Sequence, residues 1–266
     1  MTSRSGTANR LPLRQPRIAE LIANDLRSSI LSGELSDGDS LPKQEDLAAR
    51  FGVSQPSIRE ALFTLESEGL VVVRRGARGG AVVRRPRSDV AAFMSAMVLQ
   101  SGGTSIDDLA ASVALVEPLC AAEAASSADR ATLVAHLRQV QQAAEAAVGD
   151  GASFTPLARQ FHDGIVRGCG LQSLSLVVGV LESLWSAHER RWAARTAGEG
   201  RYATDAEMEA VLHAHAKILQ AIEDGDRDTA AEISRRHVQA TQRRVLEEIR
   251  DHTVEASALG PRWTRS

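Results

Sequence analysis

The sequence predicts a mainly α-helical protein made of two parts, and three observations support this prediction. Two short helical patterns lie on either side of a tight turn near residue 53. A β-branched hairpin pattern follows them between residues 70 and 85. From about residue 89 onward, hydrophobic residues recur only at helical spacing. The expected fold is a winged helix-turn-helix followed by an all-α bundle of six or seven helices.

Composition excludes several classes of protein. The chain has 266 residues, of which 43% are hydrophobic, and its two cysteines are too few for a disulfide framework. No stretch suggests a bilayer-spanning segment, and the N-terminus lacks the apolar core of a secretory signal. We therefore expect a cytoplasmic protein that does not bind membranes.

The formal net charge of −3 hides an uneven distribution of charge along the chain. Basic residues outnumber acidic ones in residues 1–87, whereas acidic residues predominate in the remainder. A basic first third joined to an acidic remainder suggests a module that binds a polyanion, carried by a domain with another role.

The N-terminal part is expected to consist of a flexible arm at residues 1–16 and a winged helix-turn-helix domain at residues 17–87. Its first helix begins at Ile18 and ends at Gly33, because apolar residues repeat at helical spacing up to that glycine. Two short helices and the two strands of a hairpin complete the domain: QEDLAARF (44–51), QPSIREALFTLESEG (55–69), LVVVR (70–74) and AVVRR (81–85).

The C-terminal part is predicted to be a helical domain at residues 88–253, followed by a tail at residues 254–266. Clusters of glycine and polar residues divide the helical pattern into segments. Seven helices are expected, at residues 89–100, 106–127, 130–148, 155–168, 172–196, 204–224 and 227–252.

The second helix of the helix-turn-helix is the expected DNA-reading element. Ser54 stands at its N-cap, where a side-chain oxygen is favoured. Gln55, Ser57 and Arg59 then lie near its exposed N-terminal end, which in helix-turn-helix proteins points at base edges in the major groove. Five apolar side chains are expected to bury this helix against its neighbour: Leu47, Phe51, Ile58, Leu62 and Leu65.

The hairpin adds a strongly basic wing. Residues 71–87 contain six arginines and no acidic residue. The planar guanidinium group binds phosphate through two hydrogen bonds, and the glycines of the turn allow the backbone to approach DNA closely. A solvated charged hairpin is the alternative interpretation. The complete set of candidate DNA-binding residues is Lys43, Ser54, Gln55, Ser57, Arg59, Arg74, Arg75, Gly76 and Arg78.

Three segments of the N-terminal part, LPKQEDLAARFGVSQPSIREAL (41–62), EGL (68–70) and RRGARGGAVV (74–83), carry a family resemblance. They resemble the winged helix-turn-helix of GntR-type bacterial transcription regulators. The resemblance implies a homodimer that reads a palindromic operator in double-stranded DNA. Gln55 stands where the family usually has arginine, and Gln44 where it often has glutamate. We therefore expect an operator that differs from the common half-site.

The helical part resembles the C-terminal domain of the FadR branch of that family. In that branch the domain dimerises and encloses an effector pocket, often with a divalent metal held by one aspartate and three histidines. The matching histidines here are His162, His215 and His237. The resemblance rests on four segments: LVEPLCAAEAA (115–125), RQFHDGI (159–165), HAKILQAIEDGD (215–226) and RRHV (235–238).

The metal-binding pattern is incomplete in this chain. The family aspartate, four residues before the first histidine, is replaced by Ala158, and an arginine of the branch is replaced by Val113. Three neutral imidazoles with a water molecule can still hold Zn²⁺ in a tetrahedral site. Such a site should bind metal more weakly and attract an anionic effector more strongly. The competing hypothesis is a metal-free pocket in which Arg159 binds the effector.

The leading functional hypothesis is a DNA-binding repressor that responds to a small carboxylate or lipid-derived metabolite. One alternative is an architectural DNA-binding dimer that no effector influences. A remote alternative is a zinc hydrolase built on the three histidines. Because Ala158 removes the obvious general base, and the chain has no motif of a known hydrolase or nucleotide-binding enzyme, we expect no enzymatic activity.

Overall fold

The computed structural model describes residues 17–74, 80–85, 88–198 and 203–259. The chain divides into two compact units, Met1–Pro86 and Arg87–Ser266. Several sequence predictions concern residues outside the described ranges. They are the flexible arm at residues 1–16, the end of the tail, and the wing residues Arg75, Gly76 and Arg78.

The described part of the first unit contains three helices and a two-stranded sheet: α1 (Ile18–Ser32), α2 (Gln44–Phe51), α3 (Gln55–Ser67), β1 (Val71–Arg74) and β2 (Gly80–Val83). The strands are antiparallel, with Val71 paired to Val83 and Arg74 to Gly80. Between α2 and α3, Gly52 has a φ of 65°, a left-handed conformation that a glycine adopts without strain. The predicted winged helix-turn-helix is confirmed.

The core of the first unit explains why α3 has a fixed orientation. Ile58 and Leu65 of α3 and Leu47 of α2 are completely buried in one hydrophobic cluster, and Phe51 packs against it partly buried. Val71 and Val83 of the sheet join the same cluster. The apolar face of α3 is therefore occupied, and its opposite face is left to solvent.

In the described residues of the second unit, the regular structure is helical apart from an isolated bridge between Ser105 and Thr253. This confirms the predicted all-α domain. A short 3₁₀ turn at Ala256–Leu259 follows the last of its α-helices. The α-helices of the described part are α4 (Ser88–Ser101), α5 (Ile106–Ser126), α6 (Arg130–Glu145), α7 (Gly151–Gly168), α8 (Gln172–Gly198), α9 (Asp205–Asp224) and α10 (Arg227–Ile249).

Helix α5 is the central helix of the second unit. It packs against α7, α8, α9 and α10. An 18-residue window within it has a mean hydropathy of 1.4, so its length and composition would allow it to cross a membrane, contrary to the sequence expectation. However, 61% of that window is buried, and Glu117 lies within the helix, only 1% exposed. We conclude that α5 is a core helix.

Two glycines bring α6 and α7 close together. A Cβ atom at Gly168 would lie 2.6 Å from a methyl carbon of Leu133, and one at Gly164 would lie 2.8 Å from Leu137. The absence of side chains at these two positions lets α7 approach α6 more closely than larger residues would allow. This contact fixes the helix that carries Ala158, Arg159 and His162.

The structure differs from the sequence prediction at several places in the second unit. Helices α6 and α10 end at Glu145 and Ile249, each three residues before the predicted end. Helix α7 begins at Gly151, four residues before the predicted start, and includes Pro156. Residues 254–259, assigned to the tail by the sequence, pack against the bundle: Val254 is fully buried and Glu255 forms an ion pair with Arg191. The packed part of this unit therefore extends beyond residue 253.

Candidate metal centre and nucleic-acid interface

The three predicted histidines converge from three helices. His162 lies on α7, His215 on α9 and His237 on α10, and all three are buried. Their Nε2 atoms form a nearly equilateral triangle: 3.2 Å from His162 to His215, 3.0 Å from His215 to His237, and 3.2 Å from His237 to His162. Residues separated by up to 75 positions in the chain thus direct the same ring atom at one point.

A glutamate that sequence analysis did not assign to the site orients one of these rings. Glu117 of α5 accepts a hydrogen bond from Nδ1 of His162 at 2.5 Å. A proton on Nδ1 leaves the lone pair of His162 Nε2 facing the other two histidines. A carboxylate behind a metal-binding histidine commonly fixes the ring tautomer and increases its basicity. Glu117 belongs to the LVEP segment that carried the family resemblance. The sequence therefore marked this residue as part of the family pattern, but it gave no role for its side chain.

The protonation states suit metal binding. Burial, reinforced by the neighbouring His162, lowers the pKa of His237 to about 3, and the same causes hold the pKa of His215 well below its ordinary value. Burial would raise the pKa of Glu117, but His162 and Arg159 outweigh this effect and lower it. His215 and His237 are therefore neutral near pH 7, and a neutral imidazole is the form that coordinates a divalent metal.

The donor set fits a tetrahedral metal ion. With metal–nitrogen bonds of about 2.0–2.1 Å, neighbouring ligand nitrogens in a tetrahedron lie roughly 3.3 Å apart. The three Nε2 atoms are 3.0–3.2 Å apart, close to this spacing. Ala158 stands one helical turn before His162 and offers no fourth ligand.

A cavity of about 760 Å³ borders the three-histidine cluster. This volume lies within the usual range for small-molecule sites. His162 and His237 contribute to its wall, together with Ala158. The other side chains of the wall include both apolar and charged groups: Phe154, Trp192, Met208, Val211, Ile233 and Val245, and Arg159, Glu189, Glu207, Lys217, Arg236 and Arg244.

The charges of the cavity wall are not all paired. Arg244 binds Glu207 at 2.8 Å. Lys217 and Arg236 make no ion pair with any residue in the described ranges. These two cations lie on the helices that carry His215 and His237, so the wall near the histidines has an excess of positive charge.

Arg159 lies in the cavity wall, as the sequence suggested, but two glutamates already neutralise it. Its guanidinium forms an ion pair with Glu182 of α8, which is only 2% exposed, and its Nε lies 3.6 Å from Oε2 of Glu189. A guanidinium between two carboxylates is a weak anchor for a further anion. The hypothesis of a metal-free pocket built on Arg159 alone therefore loses its main support.

In the first unit, the described candidate DNA-binding residues lie on its surface. Ser54 is the N-cap of α3, and its hydroxyl contacts the hydroxyl of Ser57 at 3.0 Å instead of capping the helix. Gln55 and Arg59 are exposed and lie four residues apart, hence on one face of α3. Two further candidates, Lys43 before α2 and Arg74 at the end of β1, are exposed as well.

The fold and these two sites define a class of protein. A helix-turn-helix whose reading helix exposes Gln55 and Arg59 is combined with a helical domain that surrounds a cavity and a cluster of metal-ligand type. This combination is that of a transcription regulator which binds DNA with one unit and a small ligand with the other.

Comparison with known proteins gives the family. The sequence profile of the GntR family of bacterial regulatory proteins matches residues 18–83, and that of the FCD domain matches residues 108–240. The chain therefore belongs to the GntR family of transcription regulators, in the FadR-type branch that carries the ligand-sensing FCD domain. Membership in this family of regulators, rather than any missing motif, removes the hydrolase alternative.

Individual relatives agree with this assignment. Rv0494 of Mycobacterium tuberculosis, an uncharacterized HTH-type transcriptional regulator, is 34% identical over 164 residues, covering 60% of this chain and 67% of that protein. The HTH-type transcriptional repressor NanR of Klebsiella aerogenes is 40% identical over 80 residues, which is 30% of each chain. The chain thus matches about a third of NanR. The solved structure of Streptococcus agalactiae GntR, 22% identical, covers 85% of this chain and 99% of its own with a TM-score of 0.61, which shows the shared fold.

Proposed function

We propose that this protein is a repressor that binds a palindromic operator as a homodimer and is released by an anionic effector bound beside a metal ion. The convergence of three Nε2 atoms at the wall of a 760 Å³ cavity is the observation that carries this proposal. Repression is also supported by the NanR proteins, which are named as repressors. We expect the protein to act in the cytoplasm, at the bacterial nucleoid.

The residues that would hold the metal are His162, His215 and His237, with Zn²⁺ as the best match to three imidazole ligands. When bound, the ion would supply positive charge and free coordination positions for an effector carboxylate. Glu117 fixes His162 in the required orientation. Without a fourth protein ligand at Ala158, the ion would keep its full charge, which favours an anion.

The effector is an acid with an apolar body. Lys217 and Arg236 add positive charge at the cavity, whereas Trp192, Met208 and Val245 present apolar surface to the rest of the molecule. A carboxylate attached to a hydrocarbon or aromatic group satisfies both features, in agreement with a carboxylate or lipid-derived metabolite.

On DNA, α3 would enter the major groove and the β1–β2 hairpin would contact the backbone. Arg59 and Gln55 have the side chains that read guanine and adenine through paired hydrogen bonds. Arg74, with the wing residues Arg75, Gly76 and Arg78, would bind phosphates.

Gel shifts with the DNA upstream of the protein's own gene test this function. Wild-type protein should bind this DNA in preference to random DNA, and binding should weaken steeply with salt because phosphate contacts release counterions. The variant Arg59→Ala should lose sequence preference, whereas Arg167→Ala, an exposed arginine of α7, should behave as wild type. Preference retained by Arg59→Ala would refute the assignment of α3, and operator affinity that neither zinc nor any acid alters would favour the architectural alternative.

A further inference from the structure

We propose that Arg159 and Glu189 form a second recognition site within the cavity. This site would bind a neutral group of the effector that both donates and accepts a hydrogen bond, such as a hydroxyl. The inference rests on the proposed function and deepens it, because the acid group of the same effector would lie at the three histidines.

The first observation is a buried donor and a buried acceptor that do not reach each other. Arg159 Nε and Glu189 Oε2 lie 3.6 Å apart, and neither atom has a hydrogen-bond partner in the described structure. Both residues line the cavity, and their side chains are 16% and 14% exposed. Buried polar atoms of folded proteins nearly always have a partner. A ligand atom from the cavity can supply one to both.

The charge of the site selects the type of group. Arg159 carries one positive charge, and the carboxylates of Glu182 and Glu189 are both paired with it. The site therefore carries one more negative than positive charge. A ligand carboxylate would be repelled by this charge, and it has no proton to donate to Glu189. An ammonium group could donate to Glu189 but cannot accept from Arg159 Nε. A hydroxyl does both, because its oxygen has one proton and two lone pairs.

The spacing along α7 places the two proposed recognition sites on one face of that helix. Arg159 precedes His162 by three residues, so both lie on one face of the helix, about 5–6 Å apart at Cβ. Both also contribute to the cavity wall. One small acid can therefore reach both sites, with its hydroxyl at Arg159 and Glu189 and its carboxylate at the histidines. The structure thus favours a hydroxylated acid over a plain hydrocarbon acid.

Calorimetric titration of the full-length, zinc-loaded protein with benzoate, 3-hydroxybenzoate and 4-hydroxybenzoate tests this inference. These acids differ only in the hydroxyl. We expect one of the hydroxylated acids to bind wild type at least about tenfold more tightly than benzoate, since a site built for a hydroxyl disfavours a ligand that lacks it. The variant Glu189→Leu should bring this ratio close to one, and Glu189→Gln, which keeps an acceptor oxygen, should retain part of it.

The matched control is Glu209→Leu, which removes an exposed glutamate of α9 outside the cavity wall and should leave the ratio unchanged. Equal binding of all three acids to wild type would overturn the second site while the acid-binding function stands. A hydroxyl preference that persists in Glu189→Leu would also overturn it. If none of the acids binds at millimolar concentration, the proposed effector class is wrong and the inference falls with it.

Discussion

At the scale of single residues, two positions beside the three histidines determine how they could bind a metal ion. Glu117 supplies a buried carboxylate behind His162, whereas Ala158 leaves a position without a ligand at the cavity. Three buried histidines could also be ordinary core residues whose ring nitrogens are hydrogen-bonded within the protein. The direction of their Nε2 atoms toward one point is what favours a metal ion.

Replacement of Glu117 by glutamine tests the positioning role. Because the neutral amide polarises His162 less than the carboxylate does, we expect zinc affinity to fall about 10–100-fold. Competition with a chromophoric chelator measures it. Glu123→Gln, on the same helix but paired with Arg227 near the surface, is the control and should bind zinc as wild type does. Equal affinities of the two variants would show that Glu117 has a purely structural role.

Introduction of the family aspartate tests the open position. In Ala158→Asp the new carboxylate stands one turn before His162 and can serve as a fourth ligand. We expect zinc affinity to rise by at least about tenfold and benzoate affinity to fall, because the added negative charge disfavours a second anion. Ala158→Asn adds nearly the same volume without charge. If both variants bind zinc equally, the position does not reach the ion.

At the scale of elements, the sequence predicted which segments form helices better than it predicted where they end. The early start of α7 at Gly151 was missed because the glycines of GDGAS (149–153) suggest a break, although residues 151–153 of that segment already belong to the helix. Residues 254–259 were assigned to a tail because they lack periodicity, whereas long-range contacts hold them. In one of these contacts, His188 accepts a hydrogen bond from the backbone N–H of Glu255 at 3.3 Å.

The buried contact between His188 and the backbone of Glu255 should make the free energy of unfolding depend on pH. Burial lowers the pKa of His188 to about 4, so protonation favours the unfolded chain, whose histidine titrates near 6.5. Stability from this residue is complete above pH 6.5 and declines as the pH falls toward 4. Between pH 7 and pH 5 we expect wild type to lose up to about 2 kcal/mol more unfolding free energy than His188→Gln, as measured by urea denaturation.

The substitution His188→Gln keeps an acceptor for the Glu255 N–H but removes the titration. His213 is exposed on α9, and His213→Gln provides the control. If His188→Gln shows the same pH dependence as wild type, another buried group causes the loss.

At the scale of the whole molecule, two units with separate cores serve the two activities. Leu47, Ile58 and Leu65 belong to a cluster confined to the first unit, whereas Phe161 and Ile218 belong to a cluster of the second. The basic residues of the sequence concentrate in the unit that binds DNA. The ligand cavity belongs entirely to the more acidic unit.

Separate cores predict that zinc stabilises only one unit. In scanning calorimetry of chelator-treated protein, zinc at about 100 times its Kd should stabilise the second unit by roughly 2.7 kcal/mol and raise the temperature of its transition. The transition of the first unit should not move. A variant with all three histidines changed to glutamine should show no zinc effect. A zinc shift that survives in this variant would place the metal elsewhere.

The sequence by itself determined the winged helix-turn-helix, the helical character of the second unit and the three histidines. These features depend on local periodicity, on turn residues and on short motifs. Each of these signals is contained within one continuous segment of the sequence. Only the tertiary structure decided the partners: Glu117 reaches His162 across 45 residues, and Glu182 and Glu189 neutralise Arg159 from a different helix. Such pairs depend on how the helices pack against one another, and the spacing of residues along a single chain does not record that packing.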